Sequence, residues 1–288
     1  PPAPAISRPA QRPVEITQWG CVLDRLNEEP DNDAIPFGSG SPDMCQPTMA
    51  PLWKAMTRLM QAQDSRVLNY DPVYGSQALR EQVARLAIDS GCHLNPADII
   101  ITHGCHEALI VAIRAACQEG DIVAVESPAF HGIMQKLRGS KIKVIEIPTD
   151  SSTGISVEAL KLALEQWPIK AVMLVPNCNN PLGFIMPEQR KRELLSLAQC
   201  YDIAIIEDDV YGDLAFEYPR PITIKSLDTD GRVLLCSSFS KTVAPGLRVG
   251  WIAPGRYFDR VVYMKYTGTG ASASHPQLAI AEFIKSGG

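Results

Sequence analysis

The sequence predicts an α/β layer fold built on a mostly parallel sheet, and three observations carry this. From about residue 76, helical periods alternate with short β-rich runs. Several of those runs are uniformly apolar, which suits strands covered on both faces. The last two runs, 232–237 and 247–252, are too close for a helical crossover, so one of them is antiparallel. A fold of this kind binds ligands at the carboxyl ends of its strands.

Residues 1–13 carry five prolines and few apolar anchors, and read as an extended linker. A short helix is expected near 14–26, followed by a loop whose stretch 36–43 is too rich in Gly and Pro for a regular element. Helices are expected over 76–90, 104–117, 129–138, 156–166, 187–200, 257–266 and 276–285, where apolar residues recur at helical spacing. Strands are expected over 98–102, 121–126, 142–147, 170–175, 203–207, 232–237 and 247–252, each a short run rich in Ile, Val and Leu. The sequence has no internal repeat.

Composition narrows the function classes. With 288 residues, 45% apolar and 20% charged, the chain can form one large domain and part of another. A formal charge of −5 leaves no basic footprint, so this segment is not expected to contact nucleic acid itself. Its eight cysteines are scattered without a C-x-x-C pair, which reads as free thiols in a reducing cytoplasm. His103 and His106 stand three apart without a third ligand, and no metal is expected. No apolar run reaches the ~18 residues that a membrane span needs. The proline-rich start is not a basic-then-apolar leader, and without an initiator methionine it is expected to follow something removed upstream.

The strongest chemical signal is Ser237–Trp251. Lys241 lies among small hydroxyl residues, just past the apolar run 233–235 and seven residues before Arg248. An amine that forms a Schiff base must lose its proton, which apolar walls and nearby cations favour. Ser238, Ser240 and Arg248 can hold a phosphate beside it. Alone, the segment reads equally well as a surface lysine on a strand-to-loop turn.

Four further segments follow strand ends. Gly104, Cys105 and His106 open a helix whose free N–H groups attract a phosphate, although any βα turn can carry a glycine. Phe130 can stack on a planar ring, or be a core aromatic on a helix's first turn. Asn180 is held extended by Pro181 and its amide can donate to a ring oxygen, or it belongs to a plain Asn-Pro turn. Asp208 can hold a protonated ring nitrogen and Tyr211 can bond a phenolic oxygen, or the acids at 207–209 are ordinary caps and first-turn charges. Together, and each at a strand end, these segments fit one ligand: pyridoxal 5′-phosphate (PLP), a ring with a basic nitrogen, a phenolic oxygen, an aldehyde and a phosphate.

On these residues the chain resembles the fold-type I PLP enzymes, the class I/II aminotransferases of the aspartate aminotransferase superfamily, over roughly residues 35–285. The resemblance implies a three-layer PLP-transferase fold with a seven-stranded, mostly parallel sheet. It implies that 14–69 form an arm and part of a small domain, that 70–270 form the PLP-binding domain, and that 271–288 begin a small domain largely missing from this chain. The implied roles follow. Lys241 makes the Schiff base, Asp208 pairs with the pyridinium nitrogen, Tyr211 and Asn180 bond the phenolic oxygen, and Phe130 stacks. Gly104, Cys105, His106, Ser238, Ser240 and Arg248 hold the phosphate. Tyr70 reaches the phosphate of a neighbouring subunit in a homodimer, and Gly40 lies near the substrate carboxylate. Cys-His at 105–106 and Phe at 130 depart from the residues more usual there.

A nearer resemblance is to the aminotransferase-like domain fused behind a winged helix in GntR/MocR-type regulators, carried by Glu207–Tyr211, the Ser-Phe-Ser-Lys-Thr run and the proline-rich entry. Relatives of the aminoadipate and kynurenine aminotransferases share most of these features. The family continues for roughly a hundred residues beyond this chain, a length of small-domain size, and that part supplies an arginine for the substrate carboxylate. The expectation is therefore a fragment, cytoplasmic and without membrane contact, of a transaminase acting on amino acids and 2-keto acids. The alternatives are an effector sensor whose missing winged helix binds DNA, and a PLP lyase or decarboxylase.

Overall fold

A computed structural model describes residues 9, 12–15, 40–63 and 65–288. Most of the 1–13 stretch, residues 16–26 of the first expected helix and residues 36–39 of the Gly/Pro loop lie outside the described residues. Val14, where that helix was to begin, is instead extended and bridges Val144 antiparallel.

Among the described residues eight strands form one sheet: β1 (Ile100–Thr102), β2 (Ile122–Ser127), β3 (Lys143–Asp150), β4 (Gly154–Ile155), β5 (Ile169–Leu174), β6 (Ala204–Asp208), β7 (Val233–Ser238) and β8 (Gly250–Ala253). Their order is β1-β8-β7-β6-β5-β2-β3-β4. All seven expected strands are present. The expected count of seven is corrected to eight, because β4 has two residues, too few to show a period of its own. Strands β2, β3, β5, β6 and β7 are parallel, and β8 runs antiparallel to both β7 and β1. The antiparallel partner anticipated among the last two runs is thus β8. It begins at Gly250 and not at 247, because Arg248 takes a left-handed conformation (φ 51°, ψ 45°) that ends any extended run there.

The described residues form eight α-helices: α1 (Ala50–Gln61), α2 (Gln77–Ala87), α3 (Gly104–Ala116), α4 (His131–Gly139), α5 (Val157–Gln166), α6 (Glu188–Cys200), α7 (Phe258–Gly268) and α8 (Ser274–Lys285). Of these only α1 was not anticipated. It carries Pro51 at its start, where a missing N–H costs nothing, but that proline and Pro47 read as loop in the sequence.

The layers follow from alternation along the strands. Val123, Val125, Met173, Ile206 and Leu234 pack against α3, α4 and α7 on one face. Ala124, Val172, Leu174, Ile205 and Val233 pack against α5 and α6 on the other. A third cluster joins α1, α2 and α8 to Ile99, Ile101 and Val249 at the β1 end of the sheet. The chain runs outward from β2 to β3 and β4, then returns to the other side of β2 as β5. The carboxyl ends of β2 and β5 therefore flank a topological switch point, where such sheets bind ligands.

Candidate functional site

A cavity of about 630 Å³ opens over the carboxyl ends of the parallel strands. Ten expected residues line it: Cys105, His106, Phe130, Asn180, Asp208, Tyr211, Ser238, Ser240, Lys241 and Arg248. Gly104 and Gly40 lie against two of these side chains. Tyr70 is 97% exposed and does not line the cavity. Ser41, Leu109, His131, Val175, Val210 and Pro245 complete the wall and were not singled out in the sequence.

Of three successive acids at the end of β6, only Asp208 reaches the cavity. Glu207 accepts from the N–H groups of Ile224 (2.7 Å) and Lys225 (2.9 Å). Asp209 accepts from the Asn177 amide at 2.8 Å and pairs with Arg220. Alternation explains this division, since Asp208 shares its face with Ile206 and points toward α3. Burial raises the Asp208 pKa to about 6, against the pull of the Cys105 thiol, the Val210 N–H and the Lys136 charge. The thiol stands 3.5 Å from Asp208 Oδ1. The side chain of Cys105 thus faces the acid, and its residue offers an anion the backbone N–H of the helix end.

On the next strand end, Asn180 Nδ2 donates to the Tyr211 hydroxyl at 3.3 Å. Asn180 is carried by a loop pinned at Glu126, whose carboxylate accepts from Val175 N–H at 2.9 Å and Asn179 Nδ2 at 3.0 Å. Phe130 precedes α4, with its ring over the position of a Gly132 side chain and 5.9 Å from Lys136 Nζ. Lys241 is half-buried, and its Nζ donates to the Gly40 carbonyl at 3.1 Å.

Cations and donors gather at the amino end of α3. Arg248 donates to the carbonyl of His103 at 3.3 Å and to Ser240 Oγ at 3.4 Å. Ser238 Oγ accepts from Ser240 N–H at 3.3 Å. Burial, together with the nearby charges of Lys136, Arg248 and Lys241, lowers the His106 pKa to about 4. A neutral imidazole, a guanidinium, two hydroxyls and a helix amino end make a receptor for an anion.

These groups suit PLP in kind and in order. An acid at the cavity floor matches a ring nitrogen, an amide–phenol pair matches a ring oxygen, an aromatic ring matches a ring face, and the anion receptor stands beside the amine of Lys241. Among the described residues no group of three or more His, Cys, Asp or Glu could hold a metal ion, and no helix is long and apolar enough to cross a membrane.

Comparison with known proteins gives a family. Residues 32–281 match the family model described as aminotransferase class I and II. The whole chain is 59% identical to YjiR of Escherichia coli, an uncharacterized HTH-type transcriptional regulator, of which it covers 61%. It is 32% identical to the mitochondrial kynurenine/alpha-aminoadipate aminotransferase of Mus musculus, with 96% of this chain and 69% of that protein aligned. Among solved structures, a Pyrococcus horikoshii kynurenine aminotransferase in complex with PMP superposes with a TM-score of 0.83 at 29% identity, over 94% of this chain and 68% of that one. The chain spans about 60% of the length of the first curated relatives it matches.

Proposed function

The chain belongs to the class I and II aminotransferase family, and we propose that its cavity binds PLP and that the whole protein transfers amino groups from amino acids to 2-keto acids. One observation supports this above the others: Asp208, the Asn180–Tyr211 pair, Lys241 and the Arg248 cluster converge on one sheet edge.

When bound, PLP supplies an aldehyde that condenses with amines and a ring that takes up the electron pair left at a substrate's α-carbon. Arg248, Ser238, Ser240 and the first N–H groups of α3 hold the phosphate in this reading. Asp208 holds a proton at the ring nitrogen, where its carboxylate faces a cation in place of the apolar surroundings that now raise its pKa. Asn180 and Tyr211 bond the ring's phenolic oxygen, Phe130 covers one ring face, and the thiol of Cys105 orients Asp208. Lys241 Nζ is the amine that would condense with the aldehyde, with loss of water, and once free again it would be the base that moves the proton at the substrate α-carbon. Gly40, against the Lys241 amine, marks where the substrate carboxylate enters. The exposed Tyr70 would serve a second copy of the chain across a homodimer, with 70–270 as the cofactor domain flanked by 14–69 and 271–288.

The test is the visible spectrum of the PLP-loaded, full-length protein before and after amino acids are added without keto acid. Loss of the yellow band with matching release of keto acid supports transamination. A second reading rests on the 59% identity to an HTH-type transcriptional regulator: the same cavity senses an amine effector through PLP for DNA binding by a part outside this chain. A yellow band that shifts without keto acid release favours that reading.

A further inference from the structure

We propose, on the reading that the α3 cluster receives a phosphate, that Lys265 and Glu107 are a positioning pair for that anion: Lys265 neutralises a carboxylate in the first turn of α3 and so keeps the helix end receptive. Neither residue lines the cavity, and neither has a part in the chemistry above.

Glu107 is the fourth residue of α3 and is buried, and Lys265, in the last turn of α7, is completely buried. Lys265 Nζ lies 3.3 and 3.4 Å from the two carboxylate oxygens and donates to Ser272 Oγ at 3.1 Å. Glu107 also accepts from the backbone N–H of His103 at 2.6 Å and from the Thr269 hydroxyl, and its Oε2 stands 3.2 Å from His103 Nδ1. Burial alone would raise the Glu107 pKa. The His103, Lys265 and Thr269 contacts outweigh it and hold the group at about 2, so it is ionised. Burial lowers the Lys265 pKa, and the Glu107 carboxylate 3.3 Å away pulls it back up.

The need for the cation follows from where the acid stands. A carboxylate in the first turn of a helix takes up the same positive end that a bound anion uses. Without Lys265, that charge would repel a phosphate seated a few residues away, through a poorly screened interior. With it, the carboxylate is free to fix the His103 backbone, directly before Gly104 and beside Arg248, at no electrostatic cost to the anion.

Two variants of the full-length protein should differ in their effect on phosphate recognition. Binding of PLP and of pyridoxal, which lacks the phosphate, is followed by absorbance. Lys265→Met should weaken PLP about tenfold relative to pyridoxal, since one unit charge becomes unpaired near the anion. Glu107→Gln, which keeps an acceptor for His103, should leave the PLP-to-pyridoxal ratio at or above that of the wild type. The double variant, with no charge at either position, should return the ratio to within about threefold of wild type, and it serves if Lys265→Met does not fold. A ratio that stays constant across these variants, with both ligands weakened alike, would overturn the pair's role and leave it structural. A wild type with no preference for PLP over pyridoxal would instead sink the phosphate reading itself.

Discussion

Arg248 Nη2 stands 2.5 Å from the point where a Cβ on Gly104 would sit, so guanidinium and helix end meet only because residue 104 has no side chain. Gly104 also has φ +73°, which disfavours an L side chain. Gly104→Ala should lower stability by about 1 kcal/mol and push Arg248 off the receptor. Thermal melts and titration with inorganic phosphate check both effects, and the phosphate affinity should fall by more than the melting temperature accounts for.

Lys241 donates to a backbone carbonyl at the cavity's edge and is half-buried, outside the apolar clusters of the described residues. Lys241→Ala should change stability by no more than about 0.5 kcal/mol and abolish the adduct that borohydride fixes between protein and PLP. Mass spectrometry of the reduced protein decides the matter. A persistent adduct at another lysine would refute the assignment.

For Asp208 the sign of the pH dependence is fixed by its raised pKa of about 6. The folded, cofactor-free protein binds more protons than the unfolded chain between the ordinary carboxylate range and pH 6. Stability therefore falls as pH climbs through that window and is flat with respect to this group above it. Asp208→Asn should flatten the slope between pH 4 and 6 and raise the stability of the cofactor-free protein at pH 7 by on the order of 2 kcal/mol, while the proposed amino-group transfer slows. Chemical denaturation across pH, beside turnover assays, separates this from a structural role, in which both would fall together.

His106 titrates the other way. Its folded pKa of about 4 lies below the ordinary imidazole value, so its share of stability is present above pH 6.5 and is lost as pH falls toward 4. A phosphate beside it offsets the three cations that now repel its proton. In NMR titrations the His106 pKa should rise by a unit or more when inorganic phosphate is added. No movement at saturating phosphate would place the anion elsewhere.

How much of this the sequence discloses depends on the kind of contact. Runs such as 121–126 and 203–207 are legible as strands because both faces are buried, and the residues after them are legible as site residues because parallel strands end on one edge. Asp208 is separable from Glu207 and Asp209 only by alternation and by the order of the layers. The α1 helix hides behind Pro47 and Pro51, and Arg248 interrupts an apparent strand through its own backbone conformation. Cys105 reads as an anion contact, yet the rotation of α3 turns its thiol to Asp208. Lys265 and Glu107 are 158 residues apart, and nothing local in either segment points to the other.

The pairing of β1 with β8 sets the order in which the site can be assembled. Ile100 pairs with Ile252, on the last strand of the sheet to leave the ribosome. The β2–β3 pair, joined by one helix, can form early, whereas β1 and the α3 end that follows it wait for a partner from far along the chain. A nascent chain halted before residue 250 would hold Asp208, Lys241 and the strands under α3 but not the strand that pairs with β1 and lies against Gly104, so capture of the proposed cofactor becomes a late event in biosynthesis. Release of ribosome-bound chains of graded length should show retention of PLP beginning only once β8 has emerged.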